Sequence, residues 1–94
     1  MKFEYEFVET DIFSKRIQEI LADEDYALLQ AELSRVPTAG PLIPSAGGLR
    51  KLRWSGGTKG KRGGLRIIYY YVAGIQKFYM IYVHRKAEQA DLTA

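Results

Sequence analysis

The sequence predicts a small α+β protein in which two N-terminal helices pack on one face of a mainly antiparallel sheet. A strand-like segment opens the chain, two segments with apolar residues at helical spacing follow, and three strand-like segments complete it. The predicted order is therefore β-α-α-β-β-β. With 94 residues, the chain is expected to form a single domain over residues 1–94.

The first strand is predicted over Lys2–Val8, where aromatic and charged residues alternate. A helix is expected to follow, because a side-chain oxygen of Thr10 or Asp11 can accept a hydrogen bond from an amide of the first turn. Apolar residues then recur at helical spacing from Phe13 to Leu21. These features predict a strand that leads directly into an amphipathic helix.

A second helix is expected to begin at a cap formed by Asp23 and to end before Pro37. Apolar residues between these positions again share one face, and a proline disfavours the helical conformation of the residue before it. Three prolines and three glycines occur without periodicity from Pro37 to Gly48. This composition predicts a loop of limited flexibility between the helices and the sheet.

Three strands are predicted in the second half of the chain. Leu49–Trp54 is the first, and its alternation places Lys51 and Arg53 on the same face. Leu65–Ala73 is rich in β-branched and aromatic residues and is the strongest strand by composition. A tight turn at Ala73-Gly74 is expected to join it to the last strand, Lys77–Val83.

Charge is distributed unevenly along the chain. Residues 1–32 contain nine acidic and three basic side chains, whereas residues 33–94 contain two acidic and eleven basic side chains. Basic surfaces attract polyanions, and contacts to phosphates supply most of the non-specific affinity for nucleic acids. A solvated basic face would normally include acids. We therefore expect a nucleic-acid partner.

Several classes of protein are disfavoured. Cysteine is absent, which excludes disulfides and thiolate metal sites. No apolar run approaches the roughly 20 residues of a membrane span, and the first residues lack the apolar stretch of a signal peptide. The glycine-rich segment at 55–64 does not have the spacing of the phosphate-binding loop of NTPases. We expect a cytoplasmic protein with no membrane partner and no bound metal.

The segment GLRKLRW, then GKRGGLRIIYYY, a further strand and the terminal pattern Lys86-x-Glu88-x-x-Asp91-Leu92 resemble the RelE/HigB superfamily of type II toxins, with most likeness to its HigB-like branch. The resemblance covers nearly the whole chain. It implies an endoribonuclease that cuts messenger RNA in the ribosomal A site without a metal or cofactor. It also implies contacts to ribosomal RNA and neutralisation by a cognate antitoxin, for which a helix-turn-helix protein is expected.

Position by position, the resemblance also implies which residues are catalytic. Lys51 and Arg53 match the basic pair on the strand that lines the family's site, and Arg66 matches the arginine that contacts the scissile phosphate. Lys86 matches the basic residue after the last strand. His84 stands where near relatives often carry a tyrosine.

These residue types suit the chemistry of RNA cleavage. RNA supplies its own nucleophile, the 2′-hydroxyl, so the protein must stabilise charge on the phosphate and move two protons. Guanidinium groups such as Arg53 and Arg66 bind phosphate oxygens bidentately. Lys51 is the candidate base, because neighbouring cations disfavour the charged form of a lysine. His84 is suited to proton transfer near neutral pH, but alternation leaves open whether it faces the site or the core.

Further contacts to RNA or the ribosome are expected from the basic and aromatic residues around this site. They are Arg50, Lys59, Lys61, Arg62, Arg85 and Tyr70, with Tyr82 as a second aromatic side chain for stacking on bases. Two other functions fit the same residues. One is a non-catalytic RNA- or ribosome-binding module. The other is an inactive toxin that only binds an antitoxin, since Leu92-Thr93-Ala94 stands where better-studied toxins carry a tyrosine.

Overall fold

A computed structural model of the chain describes residues 4–55 and 64–86. The elements in chain order are β1 (Glu6–Glu9), α1 (Asp11–Ile20), α2 (Asp23–Arg35), β2 (Arg50–Trp54), β3 (Leu65–Val72), a 3-10 turn (Ala73–Ile75) and β4 (Lys77–Arg85). This order confirms the predicted β-α-α-β-β-β layout. The start of the predicted first strand, most of the glycine-rich segment and residues 87–94 lie outside the described residues.

The four strands form one sheet in the order β1-β4-β3-β2. β4 pairs antiparallel with β3, and β3 pairs antiparallel with β2. β1 runs parallel to β4, which places the start of the chain at one edge of the sheet and β2 at the other. The prediction of a mainly antiparallel sheet is therefore confirmed. Within the described part of the chain, no helix is long and apolar enough to cross a membrane.

Capping explains where the two helices begin. Of the two predicted capping residues, Thr10 forms the cap of α1, because its hydroxyl oxygen accepts a hydrogen bond from the amide of Phe13 at 3.1 Å, whereas Asp11 is the first residue of the helix. The prediction of a cap at Asp23 is wrong by one residue. Ala22 occupies that position without a side-chain hydrogen bond, and Asp23 is the first residue of α2. Three acidic residues therefore lie in the first turn, where the helix dipole favours negative charge.

The core lies between the helices and one face of the sheet. Its buried apolar residues are Phe13, Ile17, Leu21, Leu29, Leu33, Leu52, Leu65, Ile67, Tyr69, Phe78, Met80 and Val83. Each side chain of this size contributes about 1.5–3 kcal/mol when it is fully buried. Both helices contribute to this one core, and within residues 4–55 and 64–86 no helix packs on the opposite face of the sheet, where Ile68 is nevertheless buried. We call this opposite face the open face.

A single carboxylate joins β1 to both helices. One oxygen of Glu9 accepts a hydrogen bond from the hydroxyl of Ser14 in α1 at 2.5 Å, and the other accepts from the hydroxyl of Tyr26 in α2 at 2.5 Å. Burial raises the pKa of Tyr26 strongly, and the hydrogen bond to Glu9 adds to this effect. The strand β1 and the helices α1 and α2 are thus held together by hydrogen bonds to Glu9.

The connection between β3 and β4 differs from the prediction. A tight turn at Ala73-Gly74 was expected, but a 3-10 turn over Ala73–Ile75 makes the connection, and Gln76 takes the left-handed conformation at φ 53°. β4 also continues to Arg85, because it remains paired with β3 up to the start of that strand. β4 therefore extends past Val83, the predicted end of the last strand, to Arg85.

Tyr26→Phe is expected to lower the free energy of unfolding at pH 7 by about 1.5 kcal/mol, because a hydrogen bond to a carboxylate is lost. The raised pKa predicts a pH effect as well. Since the folded state disfavours the tyrosinate, the stabilisation is fully present below about pH 10, the ordinary pKa of tyrosine, and is lost as the pH rises above it. Urea unfolding of both proteins between about pH 8 and pH 11 should show the difference in stability shrinking.

Tyr70→Phe is the matched control, because Tyr70 is exposed on the open face. Its stability relative to the parent protein should not change over the same pH range. A constant difference between Tyr26→Phe and the parent would contradict the proposed coupling of Tyr26 to Glu9.

Candidate nucleic-acid interface

Three of the predicted site residues form a row across the open face. Directly paired residues on neighbouring strands point to the same face of a sheet. Arg53 of β2 pairs with Arg66 of β3, and Arg66 pairs with His84 of β4. We call these three residues the basic row. Because neighbouring strands lie about 4.8 Å apart, the row spans roughly 10 Å.

Two further rows lie beside the basic row. Lys51 pairs with Ile68, and Ile68 pairs with Tyr82. Next along β3, Tyr70 pairs with Tyr79. The open face is therefore basic toward the beginning of β3 and aromatic toward its end.

A β-bulge places His84 on the open face. Ile81 is an additional residue in β4, located between the partners of Ile68 and Tyr69, and it has no counterpart in β3. Side chains before the bulge, such as the fully buried Met80, face the core at even-numbered positions. After the bulge the even-numbered positions face the other way. The question that alternation left open for His84 is thus answered by the bulge.

The ring of His84 is nearly covered although it lies on this face. His84 is only 6% exposed. Its Nδ1 atom lies 2.9 Å from the carbonyl oxygen of Arg85. A carbonyl oxygen only accepts hydrogen bonds, so this contact places a proton on Nδ1. Nε2 is then the nitrogen able to accept a proton. The ring of Tyr82 lies beside it, with 5.9 Å between the two ring centres.

Gly64 brings the ends of three strands together next to Arg66. It has a φ of 67°, and a Cβ atom there would lie 3.1 Å from the carbonyl oxygen of Trp54. The carbonyl of Gly64 accepts a hydrogen bond from the amide of Lys86 at 3.1 Å. This hydrogen bond places Lys86, which is exposed, at the same end of the sheet as Arg66. The guanidinium of Arg66 also donates to the carbonyl of Leu65 at 3.3 Å.

The other predicted contact residues are dispersed. Arg50 pairs with Tyr69 and donates to the carbonyl oxygen of Gly40 at 2.9 Å, so it holds the preceding loop. Tyr70 is 39% exposed on the open face, and Arg85 is exposed near the end of β4. Lys59, Lys61 and Arg62 lie outside the described residues. Their contacts to RNA or the ribosome stay predictions.

Arg16 is a basic residue at this site that nothing in the sequence indicated. Its Nε donates to the carbonyl oxygen of Val83 at 2.6 Å, and its guanidinium carbon lies 5.2 Å from the centre of the Tyr82 ring. These contacts arise because β1 pairs with β4 only up to Met80, so that α1 runs alongside the rest of β4. Only the tertiary arrangement brings Arg16 to the open face.

The electrostatic character of the open face follows from the charge distribution of the chain. No acidic residue occurs from Leu33 to Ala87, and this range includes β2, β3 and β4. Among residues 4–55 and 64–86, no group of three His, Asp or Glu side chains is placed to hold a metal ion. The side chains available for chemistry at this face are ammonium, guanidinium, imidazole and phenol groups.

A groove of about 440 Å³ lies alongside β2 at the margin of the open face. Its lining residues are Ala39, Pro41, Leu42, Ile43, Pro44, Lys51, Leu52 and Arg53. One side is thus formed by the proline-containing loop, and the other by the strand that carries two of the predicted catalytic residues. The sequence predicted the loop and the strand but not a groove between them.

No protein-family model matches the chain. Solved structures do resemble it, among them a chain of the intact E. coli RelBE toxin–antitoxin complex, which is 14% identical with a TM-score of 0.63. That match covers 87% of this chain and 96% of the other. The isolated E. coli RelE toxin is also 14% identical, with a TM-score of 0.62 over 87% and 84% of the two chains.

A double arginine-to-alanine mutant of E. coli RelE in the free state is 17% identical to this chain, with a TM-score of 0.64. The match covers 95% of this chain and 90% of the mutant toxin. Identities of 14% to 17% do not single out the HigB-like branch of the superfamily. The two helices, the four-stranded mixed sheet and these likenesses together show that the chain has the fold of the RelE toxins.

Proposed function

We propose that this protein is the toxin of a type II toxin–antitoxin system and cuts messenger RNA in the ribosomal A site without a metal. The observation that carries the proposal is the basic row of Arg53, Arg66 and His84, with Lys51 beside it, on the open face of a RelE-like fold. The RelE and RelBE structures that it resembles support a toxin with an antitoxin partner.

The spacing of the cations suits a single phosphate group. Directly paired residues have Cβ atoms about 5 Å apart, so Arg53 and Arg66 can bind two oxygens of one phosphate. Lys51 lies two residues from Arg53 along β2, at a distance of about 7 Å. Fixed charges that are oriented before the reaction stabilise the extra negative charge that develops on the phosphate in the transition state.

The reaction needs two proton transfers. The RNA 2′-oxygen attacks the adjacent phosphorus and loses its proton, the bond to the 5′-oxygen breaks, and that oxygen gains a proton. Nε2 of His84 is oriented as a proton acceptor by the contact between Nδ1 and Arg85, and Lys51 is the second candidate base. The exposed ammonium group of Lys86, at the same end of the sheet, is a candidate proton donor. The products are a 2′,3′-cyclic phosphate and a free 5′-hydroxyl.

The partners follow from the surface. Tyr70, Tyr79 and Tyr82 continue the basic region with aromatic rings, which stack on unpaired bases of single-stranded RNA. The ribosome supplies further phosphates for the basic residues around the site. A cognate antitoxin, for which we retain a helix-turn-helix protein as the expected class, would inhibit the toxin by blocking its access to the ribosome rather than by distorting Lys51, Arg53 and Arg66.

One observation favours a second function. The near-complete burial of His84 is what a structural histidine would show. With His84 inert, the same open face would serve a non-catalytic RNA- or ribosome-binding module, or an inactive toxin that only binds an antitoxin. Incubation of the purified protein with translating ribosomes, followed by mapping of message ends, separates the nuclease from both of these.

Arg66→Ala is expected to lower the rate of message cleavage on translating ribosomes by about 100-fold or more, because a charge on the scissile phosphate is lost. Circular dichroism should show that the fold is retained. Arg35→Ala is the matched control, since Arg35 is an exposed arginine on α2 that pairs with Glu32. Cleavage by Arg66→Ala at the parental rate, or its failure to fold, would remove the proposed role.

His84→Asn tests the proton-transfer role. Cleavage should fall by about 100-fold, which is within the usual contribution of general acid–base catalysis, while binding to ribosomes is unchanged. The measurement is a comparison of cleavage rate and ribosome affinity for the same preparations, with thermal unfolding as a check on the fold. Cleavage at the parental rate would assign the base to Lys51 instead.

Substitution of Lys59, Lys61 and Arg62 together by Gln is expected to weaken ribosome binding and to reduce its salt dependence. Each phosphate contact that is lost should reduce the slope of log affinity against log salt by about 0.7–0.9. The slope is measured by sedimentation of ribosomes at several salt concentrations. Lys77→Gln, at the far end of β4, is the control. An unchanged slope in the triple variant would show that these residues do not bind phosphate.

A further inference from the structure

The segment between α2 and β2 is long for a connection whose regular structure is one isolated antiparallel bridge, between Leu42 and Arg50. α2 ends at Arg35 and β2 begins at Arg50, so that 14 residues lie between them. In compact domains, loops longer than about 12–15 residues are uncommon and are usually either functional or disordered, and this loop lies at that limit.

The sheet nevertheless holds this loop in place. The hydroxyl of the buried Tyr69 donates to the carbonyl of Pro37 at 2.7 Å and accepts from the amide of Gly40 at 3.0 Å. Burial raises the pKa of Tyr69, which keeps this hydroxyl protonated as a donor. Arg50 adds a hydrogen bond to the carbonyl of Gly40 at 2.9 Å. The loop is thus attached to β2 and β3 by side chains of both strands.

Gly40 allows the loop to lie directly against the sheet. A Cβ atom at this position would lie 3.0 Å from the amide nitrogen of Leu52, from the carbonyl carbon of Lys51 and from the ring of Tyr69. Farther along, the carbonyl of Pro41 accepts a hydrogen bond from the amide of Lys51 at 3.0 Å. A wall that is already ordered loses little conformational entropy when a ligand binds against it.

The groove along β2 has two chemically different walls. Leu42, Ile43 and Pro44 form an apolar wall, in which Leu42 is 57% exposed. Lys51 and Arg53 form the basic wall. Its volume of about 440 Å³ lies within the range of about 300–1,000 Å³ that is typical of small-molecule sites. A ligand that fits it has an anionic part next to a flat or apolar part.

Lys51 and Arg53 line the groove. Arg53 is also a member of the basic row, and Lys51 lies beside that row. A phosphate held by Arg53 and Arg66 therefore has its neighbouring nucleoside within reach of the groove. We propose that the groove is a nucleoside subsite, which holds the base next to the bound phosphate between the apolar wall and the guanidinium plane of Arg53. This inference rests on the proposed function and adds to it a place where the base beside the cleavage point is selected.

The polar groups of the loop indicate how a base would be selected. The carbonyl of Pro41 and the amide of Ile43 are already used, since they bond to the amide of Lys51 and the carbonyl of Leu49. With these groups occupied, the apolar wall distinguishes bases by size and shape more than by hydrogen bonding. The subsite therefore separates purines from pyrimidines and does not read one particular base.

Binding of small probes to the isotope-labelled full chain, followed by NMR of its backbone amides, tests this subsite without any cleavage. The probes are inorganic phosphate, ribose 5-phosphate and the four nucleoside 5′-monophosphates. All six should shift the amides of Arg53 and Arg66. Only the nucleotides should also shift Leu42 and Ile43, and they should bind several-fold more tightly than ribose 5-phosphate, with purines and pyrimidines differing in affinity.

Leu42→Ala is the matched variant, because its exposed side chain can be removed without disturbing the core. It should abolish the advantage of nucleotides over ribose 5-phosphate and leave phosphate binding unchanged. Shifts confined to Arg53 and Arg66 with every probe would overturn the subsite but leave the proposed function intact. Absence of phosphate binding at the basic row would overturn both. An acidic peptide is tested in the same way as a comparison. If it shifts Leu42 and no nucleotide does, the groove is assigned to a protein partner and the subsite is overturned.

Discussion

The β-bulge at Ile81 is the constraint on which both the core and the open face depend. Before it, Phe78 and Met80 are fully buried against the helices, and after it Val83 is fully buried instead. Because of this one additional residue, β4 contributes buried side chains to the core both before and after the bulge. The side chain of His84 then lies on the open face, opposite Arg66. The start of α1 holds the bulge in place, because Thr10 donates from its amide to Met80 and from its hydroxyl to Ile81.

Most acidic and basic residues lie in different elements of the fold. The acidic half of the chain forms β1 and the two helices, and the basic half forms the three other strands. Within the sheet, Arg53 lies directly opposite Arg66, a pairing of like charges that destabilises a sheet. A fold that retains such a pairing requires compensation elsewhere, and here the apolar core beneath it supplies that compensation. This is the pattern expected where the local rules for stability give way to a binding site.

The long loop before β2 is attached to the sheet and also lines the groove. Its inner side is bonded to Tyr69 and Arg50, whose side chains are committed to holding it. Leu42 of this loop pairs with Arg50, is 57% exposed and lines the groove together with Lys51 and Arg53. Arg50 and Lys51 are neighbours in sequence with opposite tasks, because successive residues of a strand point to opposite faces.

The amino-acid sequence by itself determined the order of the elements, the end of α2 before Pro37, a cap at Thr10 or Asp11 and the shared face of Lys51 and Arg53. Local periodicity and capping are properties of a few neighbouring residues, so they can be recognised along the chain. Only the tertiary structure decided the orientation of His84, the approach of Arg16 to Tyr82 and the groove beside β2. Each of these depends on how distant segments align in space: a bulge changes the face of every residue after it, and the register between strands follows from packing of the whole core.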